Sequence, residues 1–440
     1  MGALSADQHL FSLFGRHFLL DVPTGSLMIL DEEAFRALAG EEEASPAVAA
    51  EIAALRARGL LLPDPVRNAE PPVQPRRPKA LCLHVAHDCN LRCGYCFAST
   101  GDFGLRRELM PPAVGRAAVD FLLAASGPVD GLEIDFFGGE PLLALETVRE
   151  TVAYGRRRAA AAGKRIHFTL TTNALTLEEE ALAYLNEEGI SLVLSLDGRP
   201  EVHDRFRRGP DGGGSYARVV SRIVRAVASR GGQDYYVRGT FTRFNPDFTA
   251  DARHLLELGC ERLSLEPVVA LPEEPYALRE EDLPAVEEEY ERLAAFYLER
   301  AEAGRPFVFF HFEVDLEHGP CLGKRLLGCG AGTRYLAVTP RGELYPCHQF
   351  VGRSRYLLGD LERGITREDL VEEFGRADIF HKEGCLDCWA RYFCGGGCHA
   401  NADLHHGTIM RPDGIGCRLL RKRLECALAV KALLGEGAAE

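Results

Sequence analysis

From Ala80 to about Val269 the chain alternates short apolar runs with stretches that carry apolar residues at helical spacing. The runs 81–86, 132–137, 166–171, 191–196, 235–242 and 263–268 have the length and composition of strands. Helical patterns such as Pro112–Ala125 and 147–161 fall between them. Strand–helix alternation at this spacing predicts a parallel sheet with right-handed crossovers. Six such units are too few for a closed (β/α)8 barrel, so the expected core is α/β, an open partial (β/α)6 barrel. Chemistry in such sheets sits at the carboxyl ends of the strands.

Upstream lies a smaller pattern. Residues 17–22 read as a strand, 23–25 as a turn and Ser26–Leu30 as a second strand. Asp31 can cap a short helix with Phe35 and Leu38. Ser45 and Pro46 form an N-cap and N1 pair for a helix with Val48, Ile52 and Leu55, and 60–62 can return as a wing strand. Hairpin, helices and wing resemble a small winged-helix domain. DNA binding fits it poorly, because Glu41, Glu42 and Glu43 sit between the helices and Arg56 and Arg58 are its only basic pair. An exposed hairpin edge can instead accept an extended peptide strand, as in the PqqD-like recognition elements of ribosomal-peptide (RiPP) maturation, which this segment resembles. A plain packing domain is the third reading. The Pro-rich stretch 62–79 is a semi-rigid linker, giving expected segments of 1–75, 76–315 and 316–440. Within the second, 281–303 is an amphipathic helix whose charges read as a solvated face.

Composition narrows the function. The chain has 440 residues, 46% hydrophobic and 26% charged, which describes a globular protein with ample core. A net charge of -14 argues against nucleic acid as the main partner. Residues 1–9 carry no secretory pattern and no run has the length of a membrane span, so a cytoplasmic location without membrane partners is expected. Fourteen cysteines in such a chain point to metal ligation rather than disulfides. One precedes Cys89 and nine lie at or beyond Cys321.

The densest chemistry follows the first barrel strand, where Cys89, Cys93 and Cys96 read C-x3-C-x2-C. Three thiolates this close can hold three irons of a [4Fe–4S] cluster, leaving one iron open to chelate the amine and carboxylate of S-adenosylmethionine (SAM). The alternatives are a disulfide framework or a zinc site, which prefers four ligands. The motif resembles that of the radical SAM enzymes, with Tyr95 as the aromatic before the third cysteine. Other strand ends extend the resemblance. Phe137-Gly138-Gly139-Glu140-Pro141 resembles the family's GGEP motif, with Glu140 suited to accept from the SAM ammonium group. Asn173 follows Thr171-Thr172, and Ala174 stands where related enzymes usually have Gly. Ser195 is a candidate ribose or carboxylate contact, Arg207 suits the SAM carboxylate, and Val268 closes the sixth strand.

The C-terminal cysteines follow a second pattern: Cys329-x12-Gly342-x4-Cys347, then Cys385-x2-Cys388-x5-Cys394-x3-Cys398, then Cys417. A hairpin over 335–338 and 344–346 would bring Cys329 and Cys347 together. The spacing matches the seven-cysteine pattern of SPASM radical SAM enzymes; a pair of zinc ribbons is the alternative. The resemblance implies one auxiliary cluster on Cys329, Cys347 and Cys398 and another on Cys385, Cys388, Cys394 and Cys417. Cys321 either completes the first or leaves an iron for substrate. Cys82 and Cys260 read as buried small hydrophobes and Cys426 is unassigned. His84, His87, His348, His399, His405 and His406 read as structural groups or neighbours of ligands.

The order of the parts, with 85–93, 97–101, 235–243, 328–330 and 345–350, resembles the SCIFF (six cysteines in forty-five residues) peptide maturases across nearly the whole chain. That implies SAM and three [4Fe–4S] clusters. The implied partners are a Cys-rich ribosomal precursor bound through its leader and a low-potential electron donor. The implied product is a sactipeptide- or ranthipeptide-type thioether from a Cys sulfur to a carbon of another residue. Other SPASM enzymes, such as anaerobic sulfatase-maturating enzymes or peptide epimerases, are the alternative. A non-enzymatic metal-binding regulator is a further one.

Overall fold

The computed structural model describes residues 6–68, 76–316 and 322–437. They pack as two units. One combines the N-terminal segment through Gln74 with Glu280–Gly328 and Ala377–Glu440; the other combines Pro75–Arg279 with Cys329–Arg376. Packing thus groups the chain differently from contiguous segments 76–315 and 316–440. Residues 280–315 join the N-terminal unit, and 329–376 join the barrel.

In the first unit β1 (Gln8–Leu13), β2 (Arg16–Asp21) and β3 (Ser26–Leu30) form an antiparallel meander in that order. β1 has no counterpart in the sequence reading. It turns into β2 through Phe14 and Gly15, both at positive φ (54° and 69°), the twist a two-residue hairpin needs. Helices Glu32–Ala39 and Pro46–Ala57 start where expected. The Asp31 side chain accepts from Ala34 N at 2.7 Å and Ser45 Oγ accepts from Val48 N at 3.3 Å. Leu19, Leu38, Val48 and Ile52 close a small core with Leu61. The expected wing strand at 60–62 is absent. Leu61 sits at φ 56° with its N–H on Asp21 Oδ1, 3.2 Å away, so this segment turns into the core instead of pairing. The long helices Leu283–Glu302 and Gly414–Gly437 pack together and are bridged by Arg418 Nε to Glu287 Oε1 at 2.6 Å.

The second unit has the expected α/β core. β4 (Ala80–Ala86), β5 (Gly131–Gly138), β6 (Arg165–Thr172), β7 (Ser191–Ser195), β8 (Tyr235–Phe241) and β9 (Arg262–Pro267) pair in parallel, in sequence order. The alternation explains the layering. Leu132, Ile134 and Phe136 of β5 are buried on one face, where Phe136 stacks on Phe168 at 5.8 Å. A Cβ on Gly155 would approach Phe168 and Val119, which places helices Leu145–Ala161 and Pro112–Ala125 over that face. Each such buried aromatic contributes about 1.5–3 kcal/mol by leaving water. The opposite face of β5 carries Asp135 and Phe137. The hairpin at 335–346 forms and also extends the sheet: Tyr335–Val338 pairs in parallel with β4 and antiparallel with Glu343–Tyr345. No helix among the described residues is long and apolar enough to cross a membrane.

Candidate active site at the carboxyl ends of the barrel strands

The loop after β4 is sewn to its neighbours by backbone. Arg92 N donates to Arg208 O (2.7 Å), Gly94 N to Phe206 O (2.9 Å), Gly139 N to Ala86 O (2.8 Å) and Glu140 N to Asp88 O (2.9 Å). These contacts explain the two glycines. A Cβ on Gly138 (φ 125°) would come 2.2 Å from Ala86 O, and one on Gly139 2.1 Å from Asp88 O.

Beneath the loop lies a cavity of about 500 Å³. Its walls bring together Cys89, Cys93, Tyr95, Cys96, Gly138, Gly139, Asn173, Ser195, Arg207 and Val268, ten residues drawn from the loop and five later segments. Arg207 Nε donates to both Asp197 oxygens at 3.0 Å, and Asp197 also accepts from Tyr95 Oη and from Thr240 N (3.0 Å). The guanidinium lies 5.6 Å from the Tyr95 ring. Burial disfavours its charge, but Asp197 outweighs burial and holds Arg207 firmly protonated. Its terminal nitrogens make no hydrogen bond among the described residues and are left for an anion in the cavity.

Glu140 lies against the cysteine loop, its N–H on Asp88 O. Its carboxylate is fully buried and is not part of the cavity wall. It accepts from Thr172 Oγ1 (2.7 Å), Asn173 N (2.8 Å) and Leu142 N (3.0 Å). Burial raises its pKa to about 7 against those donors. Its geometry therefore serves the turn at Asn173, whose Nδ2 donates to Asn90 Oδ1 (2.8 Å) and lies 3.6 Å from Cys89 Sγ. Ala174 completes that turn at φ 62°, a conformation glycine takes more readily.

The thirteen cysteines among the described residues are all free of disulfides. Burial raises Cys89 to about 12, with Glu140 adding, and raises Cys93 to about 11, with Arg207 opposing. Thiols so disfavoured as anions suit a strongly positive iron centre, which deprotonates its ligands outright. In the first unit, Cys385, Cys388, Cys394 and Cys417 interact electrostatically with one another. No group of three or more His, Cys, Asp or Glu side chains among the described residues is arranged to hold a single metal ion. Cys329 and Cys347 belong to the barrel unit and Cys398 to the first, while Cys321 lies outside the described residues. Cys82, Cys260 and Cys426 are buried.

Sequence reasoning missed part of the cavity wall. Cys82, Asp135, Arg238, Glu266 and Tyr335 all border it. Period-two alternation signals the inward positions on the barrel strands. Tyr335 enters only because its strand pairs with β4, a long-range pairing that no local pattern announces.

Residues 83–232, which carry the cysteine loop and the strands that follow it, match the family model described as Radical SAM superfamily. The chain is 24% identical over 369 residues to a cysteine-type anaerobic sulfatase-maturating enzyme of Clostridium novyi (strain NT), covering 78% of this chain and 92% of that one. Among solved structures, native anSMEcpe with bound AdoMet and Kp18Cys peptide superposes with a TM-score of 0.68 at 20% identity, covering 82% of this chain and 99% of that one. Streptococcus suis SuiB bound to precursor peptide SuiA gives 0.52 at 15% identity, covering 94% and 100%. At these identities the structural likenesses define the fold.

Proposed function

We propose that this protein is a radical SAM peptide maturase that forms a thioether between a Cys sulfur and a carbon of another residue in a ribosomal precursor peptide. The observation that carries the radical SAM part is the convergence of Cys89, Cys93 and Cys96 with Arg207, Asn173 and Ser195 on one cavity. The peptides bound in two structural neighbours support a peptide substrate. The seven-cysteine pattern and the segments shared with the SCIFF maturases support the thioether. A second reading, chemistry of the sulfatase-maturating type, is favoured by the relative that aligns over most of its length.

Cys89, Cys93 and Cys96 would hold the SAM-binding cluster. With SAM it supplies a one-electron cleavage that yields a radical able to take a hydrogen atom from the peptide. The chain's own residues then have defined tasks. Arg207, fixed by Asp197, presents its terminal nitrogens to the SAM carboxylate. Glu140 holds the Asn173 turn against the loop and is the candidate acceptor for the SAM ammonium group. Ser195 and Val268 also line the cavity, where Ser195 would contact the SAM ribose or carboxylate and Val268 would lie at the end of the sixth strand beside it. Cys329, Cys347 and Cys398, with or without Cys321, and Cys385, Cys388, Cys394 and Cys417 would hold two auxiliary clusters that take up the electron left over. A low-potential donor resupplies the first cluster, and the β1–β3 module receives the leader at a sheet edge.

The test is anaerobic reconstitution and co-expression with a Cys-rich precursor encoded nearby. Wild type should hold about twelve irons, four per cluster, and mass spectrometry should find a peptide lighter by two hydrogens with its thiol consumed. Replacing Cys89, Cys93 and Cys96 together by Ala should remove about four irons and all 5′-deoxyadenosine formation. A precursor returned with free thiols and an oxidised side chain would favour the second reading. Iron near four per chain with zinc in the remainder would refute the auxiliary clusters.

A further inference from the structure

The cysteine loop has an outer side, and in a chain of net charge -14 that side carries arginine. Residues 92–94 run alongside 206–208, held by Arg92 N on Arg208 O (2.7 Å) and Gly94 N on Phe206 O (2.9 Å). Neighbouring side chains of extended backbone point to opposite sides. Here Arg207 enters the cavity and Arg208 is exposed. Arg205 is exposed as well, its guanidinium 5.2 Å from the ring of Phe244, which is itself 45% exposed. Phe206 ties Phe244 to the same segment, with 6.3 Å between ring centroids. Arg92 is half-buried and turns Nη1 to the carbonyls of Cys89 and Leu91. None of Arg92, Arg205, Arg208 and Phe244 borders the cavity.

These three arginines form no ion pair among the described residues; Arg208 Nε donates to a carbonyl, Asp204 O, at 3.0 Å. The acids of the segment face other groups. Asp204 Oδ1 accepts from Tyr216 N at 2.8 Å, and Asp211 Oδ1 accepts from Gly213 N at 3.1 Å. On the barrel helices, by contrast, Arg149 reaches Glu180, Arg156 reaches Glu188, Arg222 reaches Glu178 and Arg225 reaches Glu179. An exposed arginine needs no partner for stability, so one alone would carry no message. Three against the cysteine loop, with an exposed aromatic beside them, leave positive charge uncompensated. Arginine and aromatic residues are also the types that interfaces favour. Such a patch attracts an acidic surface and speeds its encounter.

We infer that Arg92, Arg205, Arg208 and Phe244 form the docking face for the electron donor, a small acidic redox protein of low potential. The inference rests on the proposed function, which requires such a donor, and adds where it lands. Position decides between the donor and an acidic stretch of the precursor. A peptide must reach the cavity, whereas an electron need only reach the loop, and these side chains lie on the loop and outside the cavity. Each productive contact moves one electron: the donor is oxidised by one and the cluster on Cys89, Cys93 and Cys96 is reduced by one, with no bond made or broken. The spent donor must then leave, which suits a small face held by charge.

The experiment follows 5′-deoxyadenosine formation by the reconstituted holoenzyme with two reductants. One is an acidic flavodoxin recycled by its NADPH-dependent reductase; the other is dithionite, which is small and needs no docking face. Wild type is compared with the double variants Arg205→Glu/Arg208→Glu and Arg205→Lys/Arg208→Lys. Charge reversal should raise the flavodoxin concentration giving half-maximal rate about tenfold, the low end of electrostatic steering, and leave the dithionite rate and the iron content unchanged. The lysine variant keeps the charge and should keep most of the flavodoxin response. In wild type the flavodoxin-driven rate at limiting donor should fall as salt rises. An unchanged flavodoxin dependence in the reversed variant, or a salt-independent rate in wild type, overturns the inference and leaves the proposed function standing. An equal loss with both reductants also overturns it, because the damage then lies at the cluster site. Weaker precursor binding by the reversed variant, with an unchanged flavodoxin response, assigns the face to the peptide and overturns it too. Wild type that makes no 5′-deoxyadenosine with dithionite overturns the proposed function and the inference with it.

Discussion

Arg391, between Cys388 and Cys394, should be the side chain on which the first unit most depends. Its side chain is 0% exposed. Nη2 donates to Asp7 Oδ1 at 2.6 Å and Asp64 Oδ2 at 2.7 Å, two carboxylates each 2% exposed, and Nη1 donates to Ala6 O at 3.1 Å. Nearby, His9 of β1 stacks on Trp389 with ring centroids 3.7 Å apart. Arg391→Met keeps the bulk and removes the charge. Losing one partner of a buried ion pair costs about 3–5 kcal/mol. Here Arg67 still reaches Asp7 at 2.7 Å and the Tyr392 hydroxyl still reaches Asp64 at 2.6 Å, so the lower end applies. About 3 kcal/mol corresponds to a loss of roughly 100-fold in hydrogen-exchange protection. Amides of β1 and β2 in reconstituted protein should lose it, while those of β5 and β6 keep theirs. The pH dependence has a sign. Burial opposes the charges of Asp7 and Asp64, but their N–H, Arg67, Arg391 and Tyr392 donors outweigh it and hold both below the ordinary value of 3.8. The stability they contribute is therefore complete above that value and is lost as pH falls through the depressed range; Arg391→Met should flatten this acid limb. A loss of protection under fivefold, or one equal in both units, refutes the reasoning.

Two further substitutions probe the Asn173 turn and the cavity. Ala174→Gly relieves a left-handed residue at φ 62° and should raise stability by up to about 1 kcal/mol, the αL penalty less the added chain entropy; thermal unfolding that moves downward removes the strain argument. Arg207→Lys keeps a cation near Asp197 but gives up the fork that serves Asp197 and an anion together. SAM affinity should fall about tenfold or more, the worth of a charge-assisted hydrogen bond, and equilibrium binding at the wild-type level would exclude Arg207 as the carboxylate partner.

The barrel was legible because its signals are local. Each of β4 to β9 begins and ends within a residue or two of the apolar run that predicts it, and Asp31, Ser45 and Pro46 start helices by their own chemistry. The cysteine loop falls at a strand end for the same reason. β1 was less legible because its turn uses Phe14-Gly15, and Phe at positive φ is no turn signal. The wing failed because three apolar residues read equally as a strand or as a plug, and Leu61 fills the core.

The contacts that local pattern could not show share one cause: a side chain's partner lies far away in sequence. Glu140 reads as a ligand contact by motif, and it also accepts from Thr172 and the Asn173 amide, thirty-odd positions on, once β5 and β6 pair in register. The helix at Leu283–Glu302 is amphipathic as its pattern reads, with Glu288 and Arg292 exposed, but its apolar face, with Glu289 and Tyr290, packs on a helix near the C-terminus. Arg391 has no role in the sequence reading, and it is buried. Arg391 has its acid partners more than three hundred residues upstream. A charged side chain between cysteines carries no local signal of burial, so its default is solvent. Burial reverses that default, since each buried charge then requires a specific counter-charge. For Arg391 the counter-charge is two aspartates, which makes it a fastening.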